Sequence, residues 1–233
     1  MIAGEITTRQ HTAEQIRNTV ILAQADPVVA EFHKLWYSTP TTWGMTRYRG
    51  IPTLKCAFDL QMYHELVMGV KPALIIETGT AYGGSALHFA DCLEMCGSGG
   101  SVVSVDIAAP LSDVTHPRIT FRRGSSLDLD VLMELDELAQ AGPVLVSLDS
   151  DHSHVHVAEE LEAYSQFVTP GSFLVVEDTN ISGHPVETDG DDGGPMAAVD
   201  AFLAHHPEFV REPLCERQLL TMHPGGWLRR LEN

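Results

Sequence analysis

LIIETGTAYGGS, residues 74–85, is the stretch whose reading decides the fold. Leu74, Ile75 and Ile76 run into an acid, Glu77. Gly79, Gly83 and Gly84 make a glycine-rich turn, and Ser85 can open a helix. Strand, glycine turn and helix start in that order bring backbone N–H groups close to a bound nucleoside.

The same unit repeats downstream. Leu74–Thr78 reads as the first strand, followed by a helix over Gly84–Cys96 that Gly97 ends. Ser101–Asp106 is a second strand and Ile119–Arg123 a third, with Gly124, Ser125 and Ser126 and then an amphipathic helix over 127–140. Val144–Leu148 is a fourth strand, followed by a helix over 155–168, and 172–176 is a fifth, ending at Glu177 and Asp178. A helix starts at Pro195. The β-like runs 209–213 and 219–222, with 227–231 beyond Gly225 and Gly226, then suggest two closing strands in an antiparallel edge. Alternation of this kind predicts one α/β domain: a Rossmann-like, doubly wound, seven-stranded sheet, mostly parallel, with ligands at the carboxyl ends of its strands.

Ahead of this core lie N-terminal helices. Residues 1–11 read as loose. Thr12 with Gln15 fits a capping box, Asp26-Pro27 punctuates, and a second helix runs to about Tyr37. Residues 38–52 read as an ordered loop in which Trp43, Tyr48 and Arg49 either line a pocket or cover the sheet edge. Asp59 is placed to cap a helix through Tyr63, Leu66 and Val67 that Gly69 ends. Residues 1–70 are thus expected to form a helical, substrate-side extension and 71–233 the core. Residues 183–195, GHPVETDGDDGGP, read as a long loop near the strand ends, either simply solvated or a substrate lid.

Lys and Arg number 14 against 32 Asp and Glu, a formal net charge of −18. Such a surface repels phosphate backbones, which argues against nucleic acid as a partner. Cys56, Cys92, Cys96 and Cys215 form no paired CxxC motif, so the reading is reduced thiols in a cytoplasmic protein. There is no apolar signal core or membrane-length run. The amphipathic N-terminal helices suggest packing against further copies of the chain.

The turn sequence separates cofactors. A dinucleotide fold wants GxGxxG, whose second glycine lets the pyrophosphate approach; Ala81 stands there and its Cβ obstructs. S-adenosylmethionine has no pyrophosphate. It needs a glycine turn beside its methionine part, an acid after strand two for the ribose hydroxyls, and polar groups after strand three for the adenine edge. Glu77, Gly79, Ala81, Tyr82 and Ser85 in and beside the turn, Asp106, Ser125 and Ser126 answer that pattern, with Asp149 a further contact. If strands four and five are neighbours, the acids of DSDHSH (149–154) and EDTN (177–180) converge. They then bind a hard cation such as Mg²⁺, or else cap the next helices. A cation there lowers the pKa of a substrate hydroxyl. His152, His154 and His156, two apart, cannot all share one helical face; one of them is a candidate general base, with His184 another.

From about Trp43 onward the chain resembles the cephalosporin hydroxylase and rhamnosyl O-methyltransferase family, a class I methyltransferase group. The matching stretches are GIPTLKCAFDLQMYHEL, LIIETGTAYGGSALHFA, VVSVDI, LVSLDSDHSHVHVAEELEAYSQFVTPGSFLVVEDTNISGHPV, GPMAAVDAFLAHHPEF and LLTMHPGGWLRR. The resemblance implies a sheet with an antiparallel last strand, S-adenosylmethionine, Mg²⁺, and a sugar or other natural product as acceptor. It places the metal on Asp151, Glu177 and Asp178, with Asp149 the alternative to Asp151 because DSDH admits two registers. Tyr82 stands where the family usually has a basic residue. The expectation is a Mg²⁺-assisted O-methyltransferase with Asp151, His152 and His154 at the reacting hydroxyl. Oxidation of a β-lactam-like substrate, or a non-catalytic cofactor-binding partner protein, are the alternatives.

Overall fold

The structure is a computed structural model that describes residues 12–188 and 192–232. The start of the chain, residues 1–11, and residues 189–191 of the 183–195 loop, read as either solvated or a lid, lie outside them. Helix α1 (Ala13–Gln24) begins at the capping box: Thr12 Oγ1 accepts from Gln15 N, and the Gln15 side chain accepts from Thr12 N. Helix α2 (Pro27–Ser38) starts with proline after the Asp26 cap. The ordered loop expected at 38–52 contains a 3-10 turn (Trp43–Met45) and a small hairpin of β1 (Arg47–Tyr48) and β2 (Ile51–Pro52). Helix α3 (Ala57–Val70) starts two residues ahead of Asp59 and ends on Lys71 in the left-handed region, so neither Asp59 nor Gly69 delimits it.

The core follows as β3 (Leu74–Thr78), α4 (Gly84–Cys96), β4 (Ser101–Asp106), β5 (Ile119–Arg123), α5 (Leu129–Ala139), β6 (Val144–Leu148), α6 (His154–Tyr164), β7 (Phe173–Val176), α7 (Gly194–His205), β8 (Phe209–Arg211) and β9 (Trp227–Arg230). These strands form one seven-stranded sheet of order β5-β4-β3-β6-β7-β9-β8. All neighbours from β5 to β7 are parallel, and β9 runs antiparallel to both β7 and β8. Residues 219–222 are not a strand. Their apolar members Leu220 and Met222 are instead buried beside Cys56, beneath Trp36, Tyr37 and Trp43.

The period of two along each strand builds two cores. Leu74, Ile76, Val144, Val146, Leu174 and Val176 pack with α5, α6 and α7. Ile75, Val102, Leu145, Val175 and Trp227 pack with α3 and α4. The same parity turns Glu77, Ser147 and Glu177 toward the α3–α4 side at the carboxyl end of the sheet. Strand order reverses between β3 and β6, which opens a crevice there.

The helical hairpin of α1 and α2 is tied to the end of the chain. Arg17 forms a paired contact with Glu212, which is 2% exposed, at 2.9 and 3.0 Å. Gln24 donates to the Glu216 carbonyl, and Asn180 Nδ2 donates to His33 Nε2 at 3.0 Å. Among the described residues no helix is long and apolar enough to cross a membrane.

Candidate active site

One cavity of about 720 Å³ lies over the carboxyl ends of β3, β4, β5, β6 and β7. One end of it is formed by the turn after β3. Gly79, with φ of +83°, is required by packing as well as by conformation: an added Cβ would lie 1.8 Å from the Asp149 carbonyl oxygen. The glycine lets the turn lie against the end of β6, a demand the sequence reading had assigned to the cofactor. Gly84 similarly lets α4 press against β2, since a Cβ there would meet the Pro52 oxygen at 2.3 Å.

Asp106 reaches back to this turn. Its Oδ2 accepts from Thr80 N at 2.8 Å and its Oδ1 from Ala108 N at 2.8 Å, while the residue stays half-buried on the cavity wall. Ala81 (φ +44°), Tyr82 and Ser85 also line the wall. Glu77 does not. It is fully buried behind the turn, accepting from Ser104 Oγ at 2.6 Å, with Oε1 unpartnered, and burial pushes its carboxyl up to about 7. Its place in the cofactor set is corrected to a support for the turn, because strand parity aims it into the α3–α4 layer. Ser125 and Ser126 line the far wall; Ser126 Oγ lies 3.4 Å from His156 Nε2, and Ser150 Oγ 3.0 Å from the same nitrogen.

The other end of the cavity is acidic. Asp149, His152 and Asp178 each offer a ligand atom within 4.8 Å of the others. His152 Nε2 is 3.1 Å from Asp178 Oδ2 and 4.0 Å from Asp149 Oδ1. The expected triple Asp151, Glu177 and Asp178 is not the group assembled here. Asp151 lines the cavity, but its Oδ1 accepts from Ser153 N at the start of α6, and the Ser153 hydroxyl together with that N–H holds its pKa below the ordinary carboxylate value. Glu177 is 2% exposed and faces inward. There it accepts from Tyr63 and Ser147 at 2.7 Å each and from Lys55 Nζ at 2.5 Å. His154 is the first residue of α6 and does not line the cavity; its backbone N–H donates to Asp192. His184 is exposed and also outside the lining. Tyr48 and Arg49 bind Asp91 on α4, whereas Trp43 does reach the cavity, so the two readings of that loop divide between its residues.

Sequence reasoning missed Lys55, Asp59, Tyr63 and His223. The Lys55 ammonium is 1% exposed and bridges Asp149 Oδ2 at 2.7 Å to Glu177. Burial alone would depress it, but the two carboxylates outweigh burial and raise its pKa. Burial likewise would raise Glu177, yet Lys55 with His223 and Tyr63 holds it down at about 2. Asp149 goes the other way, well up, through burial and the charge of Glu177. His223 Nδ1 accepts from Asp178 N at 3.1 Å and so fixes that residue in the left-handed region, φ +53°. Asp59 accepts from Met222 N at 2.8 Å, which binds the tail beneath the site. A lone lysine just before a helix, followed by Asp59 and Tyr63, was the available signal; a buried ammonium requires an acid.

The sheet order, with one antiparallel strand and the cavity at the switch point, is that of the class I S-adenosylmethionine methyltransferases. The profile described as Rhamnosyl O-methyltransferase/CmcI matches residues 40–231. A rhamnosyl O-methyltransferase of Mycobacterium tuberculosis (strain ATCC 25618 / H37Rv) is 36% identical over 214 residues, covering 88% of this chain and 86% of its own. That of Mycobacterium leprae (strain TN) is 34% identical, covering 91% and 94%. Among solved structures, CmcI in a form with Mg and S-adenosylmethionine aligns with a TM-score of 0.64 at 20% identity over 81% of this chain and 78% of that one. This chain belongs to the rhamnosyl O-methyltransferase/CmcI family.

Proposed function

We propose that the protein transfers a methyl group from S-adenosylmethionine to a hydroxyl of a sugar-bearing small molecule, assisted by Mg²⁺. The observation that carries this is a single cavity joining the Gly79–Asp106 donor end to the Asp149, His152 and Asp178 cluster. At the donor end Asp106 would accept from the ribose hydroxyls and Ser125 and Ser126 would meet the adenine edge. The acidic end fits a hard divalent cation. Asp149, Glu177 and Asp178 crowd three acids around one buried ammonium, Lys55, and burial with the charge of Glu177 raises Asp149, a crowding that a bound cation would relieve. Asp149 and Asp178 would hold it, backed by Glu177.

S-adenosylmethionine, when bound, supplies an electrophilic sulfonium methyl. Mg²⁺, when bound, lowers the pKa of an acceptor hydroxyl. His152 takes that hydroxyl's proton. It is the imidazole at the acid cluster, and Asp178 at 3.1 Å orients its ring and stabilises the imidazolium. The cofactor's sulfonium would serve as the leaving group, taking the carbon–sulfur electron pair, and the cavity's residues would hold the acceptor oxygen in line with the methyl carbon. The protein's share is mostly alignment and exclusion of water.

Asp178→Ala should abolish methyl transfer while leaving S-adenosylmethionine affinity within a few-fold. Full turnover by that variant in chelator would remove the metal from the scheme. Residues 1–70 serve as the acceptor-side cover and 71–233 as the donor-binding core of one domain. The exposed Leu22, Val28 and Leu35 on α1 and α2, 75%, 73% and 64% accessible, support assembly with further copies, measurable by light scattering on size exclusion. Four free cysteines, three of them buried, agree with work in the cytoplasm.

A further inference from the structure

We propose that His223 is the positioning residue of the cavity's acidic end: its buried imidazole keeps Glu177 turned inward and Asp178 turned outward, and so sets the affinity of the cation site. This rests on the reading that Asp149 and Asp178 hold Mg²⁺. His223 belongs to the segment that leads into β9, is 1% exposed, and does not line the cavity. It nevertheless touches both members of the acid pair. Nδ1 accepts from Asp178 N at 3.1 Å, so the ring is neutral and carries its proton on Nε2. Nε2 lies 3.4 Å from Glu177 Oε2 and 3.6 Å from Asp59 Oδ2, and has no hydrogen-bond partner among the described residues.

What this contact controls is a backbone turn. Glu177 N still donates to the Leu148 carbonyl of β6, at 2.9 Å. One residue later the chain leaves the sheet, and the next N–H goes to His223 instead. Asp178 then has φ of +53°, a conformation that residues other than glycine rarely adopt and that surrounding structure must enforce. The turn brings Asp178 Oδ2 to 3.1 Å from His152 Nε2, while Glu177 stays with Tyr63, Ser147 and Lys55.

The ring can act as a template because it is itself fixed. His223 N donates to Thr221 Oγ1 at 3.0 Å, and the His223 carbonyl accepts from Gly226 N at 2.9 Å. Gly226 lets this loop press on β7, since a Cβ there would lie 2.2 Å from the Val176 oxygen. Thr179 Oγ1 donates to the Pro224 carbonyl at 2.8 Å, which ties the residue after the acid pair to the residue after His223. Tyr63 and Trp227 meet the imidazole edge to face, at 6.3 and 5.3 Å between centroids. Loss of the Nδ1 acceptor leaves the Asp178 N–H without its partner, and the turn relaxes away from Asp149 and His152. The competing role for His223 is to fill space beneath Tyr63 and Trp227.

The test titrates Mg²⁺ by calorimetry into the full chain saturated with S-adenosylhomocysteine, for wild type, His223→Asn, His223→Gln and His223→Leu. Asn can set an amide oxygen where Nδ1 stands; Gln sets its amide where Nε2 stands. His223→Asn should bind Mg²⁺ within threefold of wild type. His223→Gln and His223→Leu should bind it tenfold or more weakly, with S-adenosylhomocysteine affinity within twofold throughout. In turnover the same two variants should need more Mg²⁺ for half-maximal rate and recover most of kcat when Mg²⁺ saturates. The positioning role is overturned if His223→Leu binds Mg²⁺ as wild type does, or if His223→Asn fares as badly as His223→Gln. Should His223→Leu fail to fold, the contrast between Asn and Gln decides. Wild type that binds no Mg²⁺ would overturn the cation reading and this proposal with it, whereas Mg²⁺ binding indifferent to His223 overturns this proposal alone.

Discussion

Lys55 shows how much one buried charge decides. Its ammonium holds Asp149 and Glu177 together, and it has no route to water at 1% exposure. Lys55→Met should therefore destabilise the protein by about 3–5 kcal/mol, the cost of uncompensated buried charge. Adding Glu177→Gln should recover part of that loss in thermal or denaturant unfolding; a double variant no more stable than Lys55→Met would show that the pair is not coupled. Gly79 is a second such position. Gly79→Ala sets a Cβ against the Asp149 oxygen in a left-handed backbone, and a loss of about 3 kcal/mol or more, or insoluble protein, should follow. Wild-type stability for that variant would show that the turn after β3 does not sit against β6 as described.

Elements explain what the sequence could and could not show. Apolar runs followed by acids predicted β3, β6 and β7 closely, because each is buried on both faces and reads without ambiguity. That Asp106, Ser125 and Ser126 line the cavity was legible too, because they stand at or just past the ends of β4 and β5. The acid end was not, because which carboxylate faces the cavity depends on strand parity and on a backbone turn. Glu177 continues the parity of Val175 and turns inward to Tyr63, while Asp178 leaves the strand in a left-handed conformation that His223 fixes from 45 residues away. The strand read at 219–222 failed through tertiary context: its apolar residues are consumed by packing under α2 and the 3-10 turn.

The docking of α2 carries its own prediction. His33 is buried and accepts from Asn180, and burial pushes its pKa down to about 4 from an ordinary 6.5. A depressed histidine contributes stability that is whole above pH 6.5 and is lost as pH falls toward 4. The full span corresponds to about 3 kcal/mol. His33→Gln should remove that dependence, so the stability difference between wild type and variant should shrink between pH 6.5 and 4. A constant difference would mean that His33 is not held neutral in the fold.

At the scale of the molecule, the chain places its acidic surface, the sheet's switch point and the N-terminal hairpin around one cavity. A net charge of −18 with an Asp149, His152 and Asp178 cluster at that cavity should make stability respond to divalent cations. Free cation at one hundred times its dissociation constant should stabilise the fold by about 2.7 kcal/mol. Thermal unfolding of wild type should shift upward with Mg²⁺, and Asp149→Asn should abolish the shift without lowering the apo midpoint by a comparable amount. Equal shifts in both proteins would place the cation elsewhere.

The most direct measurement follows the methyl group. The full chain is incubated with methyl-labelled S-adenosylmethionine, Mg²⁺ and a 6-deoxyhexoside, and the products are read by mass spectrometry before and after chelation. The label should appear as a methyl ether on the sugar, vanish with chelator, and return when Mg²⁺ is restored. Label that never leaves S-adenosylmethionine for the sugar, or that transfers equally well in chelator, would contradict the account.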